Sequence, residues 1–244
     1  LLIAASDSGI ATDRQARQRV RRRGSICTFP AIGYTGFMQP ATAAEWLDTL
    51  KAEIRRCRHC AARFAATATA HEPRPVVWFG ATARILIVGQ APGMRVHEAG
   101  VPFRDPSGDR LREWMGVDEA TFYDISRIAI VPMAFCFPGY DGRGADLPPP
   151  PDCARKWRQR VMEALPRPRL TLLIGGHAQR WHLGREAARA GVTRTVANWR
   201  ACAPDVLPLP HPSWRNTAWL NRNPWFAEEL IPELRRRVKE ALAT

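Results

Sequence analysis

The chain has 244 residues, 45% of them apolar, enough for one sizeable α/β core and too little for two ordinary enzyme domains with a linker. Its net charge is +13 and nearly all its basic residues are arginine, whose planar fork suits phosphate better than a lysine point charge, so a polyanionic partner is favoured, although a GC-rich genome enriches arginine as well. No stretch approaches the roughly 20 apolar residues of a membrane span, and the opening apolar run is too short for the core of a secretion signal, so a soluble, cytoplasmic protein is expected.

Residues 1–40 hold Arg14, Arg17, Arg19, Arg21, Arg22 and Arg23 with little apolar periodicity. They bury too little surface to offset the entropy of ordering, so a flexible basic arm is expected there, followed by one domain over residues 41–244. From Thr42, an N-cap with Glu45 three positions on, and Trp46, Leu47, Leu50 and Ile54 at helical spacing, predict a helix ending near Cys57-Arg58-His59-Cys60. Residues 84–88, 127–131 and 170–174 are short, continuously apolar runs, the pattern of strands buried on both faces of a parallel sheet. Each leads through a loop to a helix, expected at 110–114, 153–165 and 178–190, and a last run at 206–209 precedes a helix over about 224–242. The fold class is therefore α/β, a three-layer α/β/α sandwich around a four-stranded, largely parallel central sheet.

In an open parallel sheet, ligands bind beyond the carboxyl ends of the strands, where strand order reverses. That rule selects Gly89-Gln90-Ala91-Pro92-Gly93 after the first strand, Pro132 to Tyr140 after the second, and His211-Pro212-Ser213-Trp214-Arg215-Asn216 after the last. Three polar, Gly/Pro-rich loops on one edge make one cleft. The first loop, followed by Gly100-Val101-Pro102-Phe103, and the late His211-Pro212-Ser213 resemble the first and last active-site motifs of the uracil-DNA glycosylase superfamily, nearest its iron-sulfur branch, family 4. The likeness runs from about Cys57 to Arg236. It implies a DNA-repair enzyme that flips uracil out of DNA and hydrolyses its N-glycosidic bond, with DNA as partner, no catalytic metal, and a monomer as the acting form. A glycosylase for hypoxanthine or xanthine is the alternative within that class, and a lesion binder that does not turn over is the alternative outside it.

The residue types suit that reaction. Breaking the bond to uracil leaves negative charge on the base O2 and positive charge on the sugar, so the site needs a donor at O2 and something anionic or dipolar near C1′. His211 is the natural donor. Phe103 resembles the family's aromatic that stacks on the flipped base, and Trp214 and Arg215, with Asn216, map onto the loop that fills the vacated space in the helix. Gly89, Ala91, Pro92, Gly93 and Ser213 complete the expected substrate contacts. Two departures stand out. Gln90 and Ala91 occupy the positions where relatives carry a first-motif carboxylate, which leaves Gln90 to orient water or Asp105 to replace the acid, with Asp109, His97 and Glu98 also near in sequence. In the middle loop Cys136 is followed by Phe137-Pro138-Gly139-Tyr140, with no amide in register to read uracil, so backbone groups, Tyr140 or a residue from elsewhere are the candidates.

Six cysteines in a cytoplasmic chain point to metal ligands, a cluster or buried thiols rather than a disulfide scaffold. Cys57-x-x-Cys60, Cys136 and Cys153 resemble, in order and approximate spacing, the ligands of the family's structural 4Fe-4S cluster; on bare chemistry zinc suits four cysteines equally well. Cys27 and Cys202 stand at no partner spacing and read as incidental.

Overall fold

Four of the apolar runs pair side by side in the computed structural model, which describes residues 40–243. They are β1 (Ile85–Val88), β2 (Ile128–Ile130), β3 (Leu170–Ile174) and β4 (Val206–Leu209), all parallel and in the order β2-β1-β3-β4. Ile85 stands opposite Ile128 on one side and Leu170 on the other, and Thr171 opposite Val206. Pro208, which has no N–H to give to a ladder, lies in β4, an edge strand, where proline is tolerated.

Around the sheet run α1 (Pro40–Arg55), α2 (Ala61–Ala65), α3 (Met94–Ala99), α4 (Pro106–Met115), α5 (Glu119–Tyr123), α6 (Pro151–Ala164), α7 (Gly175–Ala197), α8 (Thr217–Arg222) and α9 (Ile231–Leu242). Successive strand residues point to opposite faces, which divides the core in two. Leu86, Val88, Ala129, Val131 and Leu173 pack against Leu47, Leu50 and Ile54 of α1, Trp157 and Val161 of α6, and Ala178 and Leu183 of α7. Ile85, Ile87, Ile128, Leu172 and Leu207 pack on the other face against Leu111 and Met115 of α4, Phe122 of α5, and Leu234 and Val238 of α9. The expected α/β/α sandwich is thus the observed one.

The differences from expectation lie in the helices. The α4 helix starts at Pro106 rather than 110, because Asp105 caps it: its Oδ1 accepts the Gly108 N–H at 2.9 Å and Pro106 takes the first turn. Apolar periodicity, which begins only at Leu111, does not register that start. The α7 helix runs past residue 190 and bends at Gly184 and Gly191, both at positive φ. The short helices α2, α3, α5 and α8 span five or six residues each, less than two full turns, and show no period. The expected basic arm falls outside the described residues apart from Pro40, where α1 begins. Cys202 is disulfide-bonded rather than incidental. No described helix is long and apolar enough to cross a membrane.

Because β1 lies between β2 and β3, the chain leaves β1 in one direction and returns on its other side. That reversal puts the loops after β1, β2 and β4 together at the carboxyl edge.

Candidate active site

The three loops enclose a cavity of about 350 Å³, within the range of roughly 300–1,000 Å³ usual for small-molecule sites. Gly89, Gln90, Ala91, Pro92 and Gly93 line it from the first loop, and His211, Ser213, Arg215 and Asn216 from the last. Phe103 and Asp105 close it from the turn before α4. The first and second loops are tied by backbone bonds, Met133 N–H to the Gly89 carbonyl at 3.0 Å and Ala134 N–H to that of Gln90 at 3.1 Å. This fixes the first motif through its main chain.

The middle loop delivers Pro132, Pro138, Asp146 and Leu147 to the lining, and not Tyr140. The Tyr140 ring packs edge-on to Phe137 at 5.1 Å, while its backbone bridges to Asp146. His97 and Glu98 also lie away from the lining: His97 packs against His71 and Phe137, and the Glu98 carbonyl accepts from Arg74 at 2.9 Å. Sequence reasoning stopped at Tyr140 and so missed Asp146. The available signal was the Asp141-Gly142 turn just beyond, which carries the chain back to the cleft.

Phe103 is held in an unusual conformation. Its φ is +54°, a left-handed backbone that non-glycine residues rarely adopt and that marks stored strain at functional sites. A Cβ on Gly108 would sit 1.7 Å from the Phe103 carbonyl oxygen, so the glycine is what allows α4 to begin directly beneath this turn. The ring is half-buried, lies against Gly89 and meets Phe122 edge-on at 6.1 Å. It is a platform supported from below with one side open to the cavity.

His211 is fixed as firmly. Its Nδ1 accepts the Ser213 N–H at 3.2 Å, so in the neutral ring the hydrogen must sit on Nε2. Asn216 donates through Nδ2 to the His211 carbonyl at 2.7 Å, and Arg110, from α4, donates to the carbonyls of Pro212 and Ser213 at 3.3 and 3.2 Å. Burial lowers the His211 pKa, partly opposed by the fields of Asp105 and Asp146. The result is a neutral imidazole whose one N–H is not used by its own loop. Arg110 carries no signal in the sequence; its role depends on where α4 starts.

At the rim Trp214 is 70% exposed, with the Arg215 guanidinium 5.8 Å from its ring centroid. The cation lies within reach of the ring face, and neither side chain is buried against the core.

Residues 76–235 match the sequence model of the Uracil DNA glycosylase superfamily, a span that takes in all four strands and all three cleft loops. The chain belongs to that superfamily. Its chemistry is accordingly that of a DNA glycosylase, hydrolysis of an N-glycosyl bond in DNA repair, with DNA as the partner. The matched span contains Cys136 and Cys153 and leaves Cys57 and Cys60 before it, so membership in the uracil-DNA glycosylase superfamily carries no statement about a cluster.

Those four cysteines nonetheless meet. Cys57 at the end of α1, Cys60 before α2, Cys136 in the middle loop and Cys153 in α6 line one small hollow behind the cleft, and all four are free thiols. Burial raises the Cys60 and Cys136 thiols, with crowding by the other cysteines adding to it, and raises Cys153 to about 11, opposed by the Phe135 N–H that donates to its sulfur at 3.5 Å. Among the described residues no group of three or more His, Cys, Asp or Glu is placed so that it could hold a metal ion.

Proposed function

We propose that this glycosylase acts on uracil in DNA, taking the extruded base into the cavity and hydrolysing its N-glycosidic bond to leave an abasic site. The observation that carries the reading is His211: it lines the cavity, its Nδ1 is occupied by Ser213, and its Nε2–H remains to meet the charge that builds on the base O2. Phe103 supplies the stacking face, worth roughly 1 to 3 kcal/mol per base. Trp214 enters the stack where the base has left and Arg215 meets phosphate, with Asn216 beside them. The enzyme works as a cytoplasmic monomer. Uracil-containing duplex, treated with the protein and then with alkali, should break at the uracil; a strand that stays intact with uracil, hypoxanthine and xanthine alike would overturn hydrolysis as the activity.

A second reading, hypoxanthine or xanthine as the base, is favoured by the middle loop, which brings no amide side chain to the lining. Single-lesion duplexes rank the bases directly. Multiple turnover separates both readings from a lesion binder, which stops at one equivalent.

The cysteine hollow is proposed to hold a structural 4Fe-4S cluster on Cys57, Cys60, Cys136 and Cys153. Four thiolates are the ligand set of such a cluster and equally of a structural zinc, and the four cysteines lining one hollow would supply it. Bound there, the cluster would tie α1 and α6 to the middle loop. Protein purified anaerobically should be brown and carry about four irons per chain, one complete thiolate set. Colourless, iron-free protein would overturn the cluster and leave the fold and the cleft untouched.

The charge of the chain supports a large electrostatic share in DNA binding. Affinity should fall steeply with salt as arginine contacts release counterions, and removal of residues 1–23, with their six arginines, should weaken binding and flatten the slope. An unchanged slope in a salt titration would rule the arm out as a DNA contact.

A further inference from the structure

Beyond the middle loop stands a carboxylate, Asp146, that hydrogen-bonds neither to its own loop nor, among the described residues, to the surrounding fold. Asp141 organises the loop: its Oδ1 accepts the N–H groups of Arg143 and Ala145, each at 2.9 Å, its carbonyl accepts that of Gly144, and its N–H donates to the Ala145 carbonyl. Leu147 N–H closes the loop on the Gly139 carbonyl at 2.9 Å, and Tyr140 bridges to Asp146. This framework places Asp146 in the lining of the cavity that also contains Phe103 and His211. The other carboxylate in the lining, Asp105, is engaged with the Gly108 N–H. Asp146 is exposed, and its side chain makes no hydrogen bond or ion pair among the described residues, although its field reaches His211 across the cavity. A bare carboxylate is an odd group to keep on the path of a polyanion in a chain of charge +13: it repels phosphate. Its place is explained if it faces a base.

We infer that Asp146 is the specificity-determining group that reads the ring nitrogen of the extruded base, and that it recognises deamination itself. The inference rests on the glycosylase reading and deepens it. A carboxylate without its proton can only accept hydrogen bonds. In cytosine and adenine the pairing-edge ring nitrogen is an acceptor, and its lone pair would face that of Asp146. Deamination to uracil or hypoxanthine converts the same nitrogen to N–H, which Asp146 can take. Set against the ring nitrogen, one acceptor admits both deaminated bases and disfavours both parents, with no amide needed in the middle loop; set against the neighbouring exocyclic position, where cytosine and adenine carry an amino donor, it would do the reverse, and the wild-type uracil-to-cytosine binding ratio decides between the two. Guanine bears a hydrogen on that nitrogen before and after deamination, so Asp146 offers no discrimination between guanine and xanthine.

The test pairs Asp146→Asn with Asp146→Ala and reads two quantities on the full chain: single-turnover excision from uracil, hypoxanthine, cytosine and adenine duplexes, and binding of the same four bases on 2′-fluoro sugars, which resist hydrolysis. The amide can turn its NH₂ towards a ring-nitrogen acceptor. Asp146→Asn should therefore lower the uracil-to-cytosine and hypoxanthine-to-adenine binding ratios about tenfold or more, and Asp146→Ala should weaken uracil binding about 10- to 100-fold, the loss of a hydrogen bond to a charged group. Ratios within about twofold of wild type in Asp146→Asn overturn the inference, as does a wild-type protein that binds the uracil duplex no better than the cytosine duplex. Wild-type protein that discriminates in binding yet excises nothing overturns the hydrolase reading instead, and Asp146 is still judged on the binding ratios.

Discussion

Replacing His211 with alanine should slow excision of uracil by roughly 10²- to 10³-fold while leaving lesion binding nearly intact, the loss found when one preorganised donor to a developing anion is removed. The split between rate and binding follows from the geometry. The O2 of bound uracil carries little charge, so a neutral N–H gains most from it only as the glycosidic bond breaks. Ser213 N–H on Nδ1, Asn216 on the His211 carbonyl and Arg110 on the next two carbonyls hold the ring in place before the base arrives, so no reorganisation is left for the moment of reaction. A variant within threefold of wild type would mean that another group meets O2.

The pH profile separates a neutral donor from an imidazolium. Burial lowers the His211 pKa below its ordinary value, so the neutral ring persists as pH falls through about 6.5, the value of an unperturbed histidine. Single-turnover excision should therefore stay level from pH 8 to 6.5 rather than climb. The same shift has the opposite sign for stability. The unfolded chain takes up the proton first, so the contribution of His211 is complete above about pH 6.5 and is lost as pH falls below it. A rate that rises in step with protonation near 6.5 would assign catalysis to the cation.

The strands were legible because each is buried on both faces and reads as an unbroken apolar run; Ile85–Val88 and Leu170–Ile174 have no other simple interpretation in a chain of this length. The cleft followed from the strands, since a parallel sheet dictates which loop ends meet. What escaped depended on side-chain chemistry at element boundaries. Asp105-Pro106 is a helix start that no periodicity shows, and with α4 misplaced Arg110 could not be seen as the brace of the His211 loop. Asp146 escaped because its position is set by an Asp141-centred turn several residues past the motif, and a turn's exit direction is not written in the apolar pattern. Tyr140 has the chemistry of a base reader, yet its ring has an apolar neighbour in Phe137, only three residues away in sequence, and the fold turns it that way.

The loop over residues 89–93 holds no carboxylate, so Asp105 and Gln90 are the candidates to serve water or the cationic sugar, and the structure makes them separable. Both line the cavity, and Asp105 also caps α4 by accepting the Gly108 N–H at 2.9 Å. Asparagine caps helices as well as aspartate does, so Asp105→Asn keeps the cap, the turn under Phe103 and the shape of the cleft while removing the charge. If Asp105 acts as base or stabilises the sugar cation, that single change should lower the single-turnover rate on a uracil duplex by roughly 10²- to 10⁴-fold, with thermal stability nearly unchanged. Gln90→Ala should then have a small effect, because an amide offers orientation but no charge. We expect this order, since a carboxylate provides electrostatic stabilisation that Gln90 cannot. The reverse order, about tenfold or more from Gln90→Ala and little from Asp105→Asn, would assign the water to the amide and the backbone of the first motif, as in reactions where positioning matters more than basicity. Small, equal effects would sink both assignments, and His97 and Glu98 could not take their place, because neither reaches the lining of the cavity.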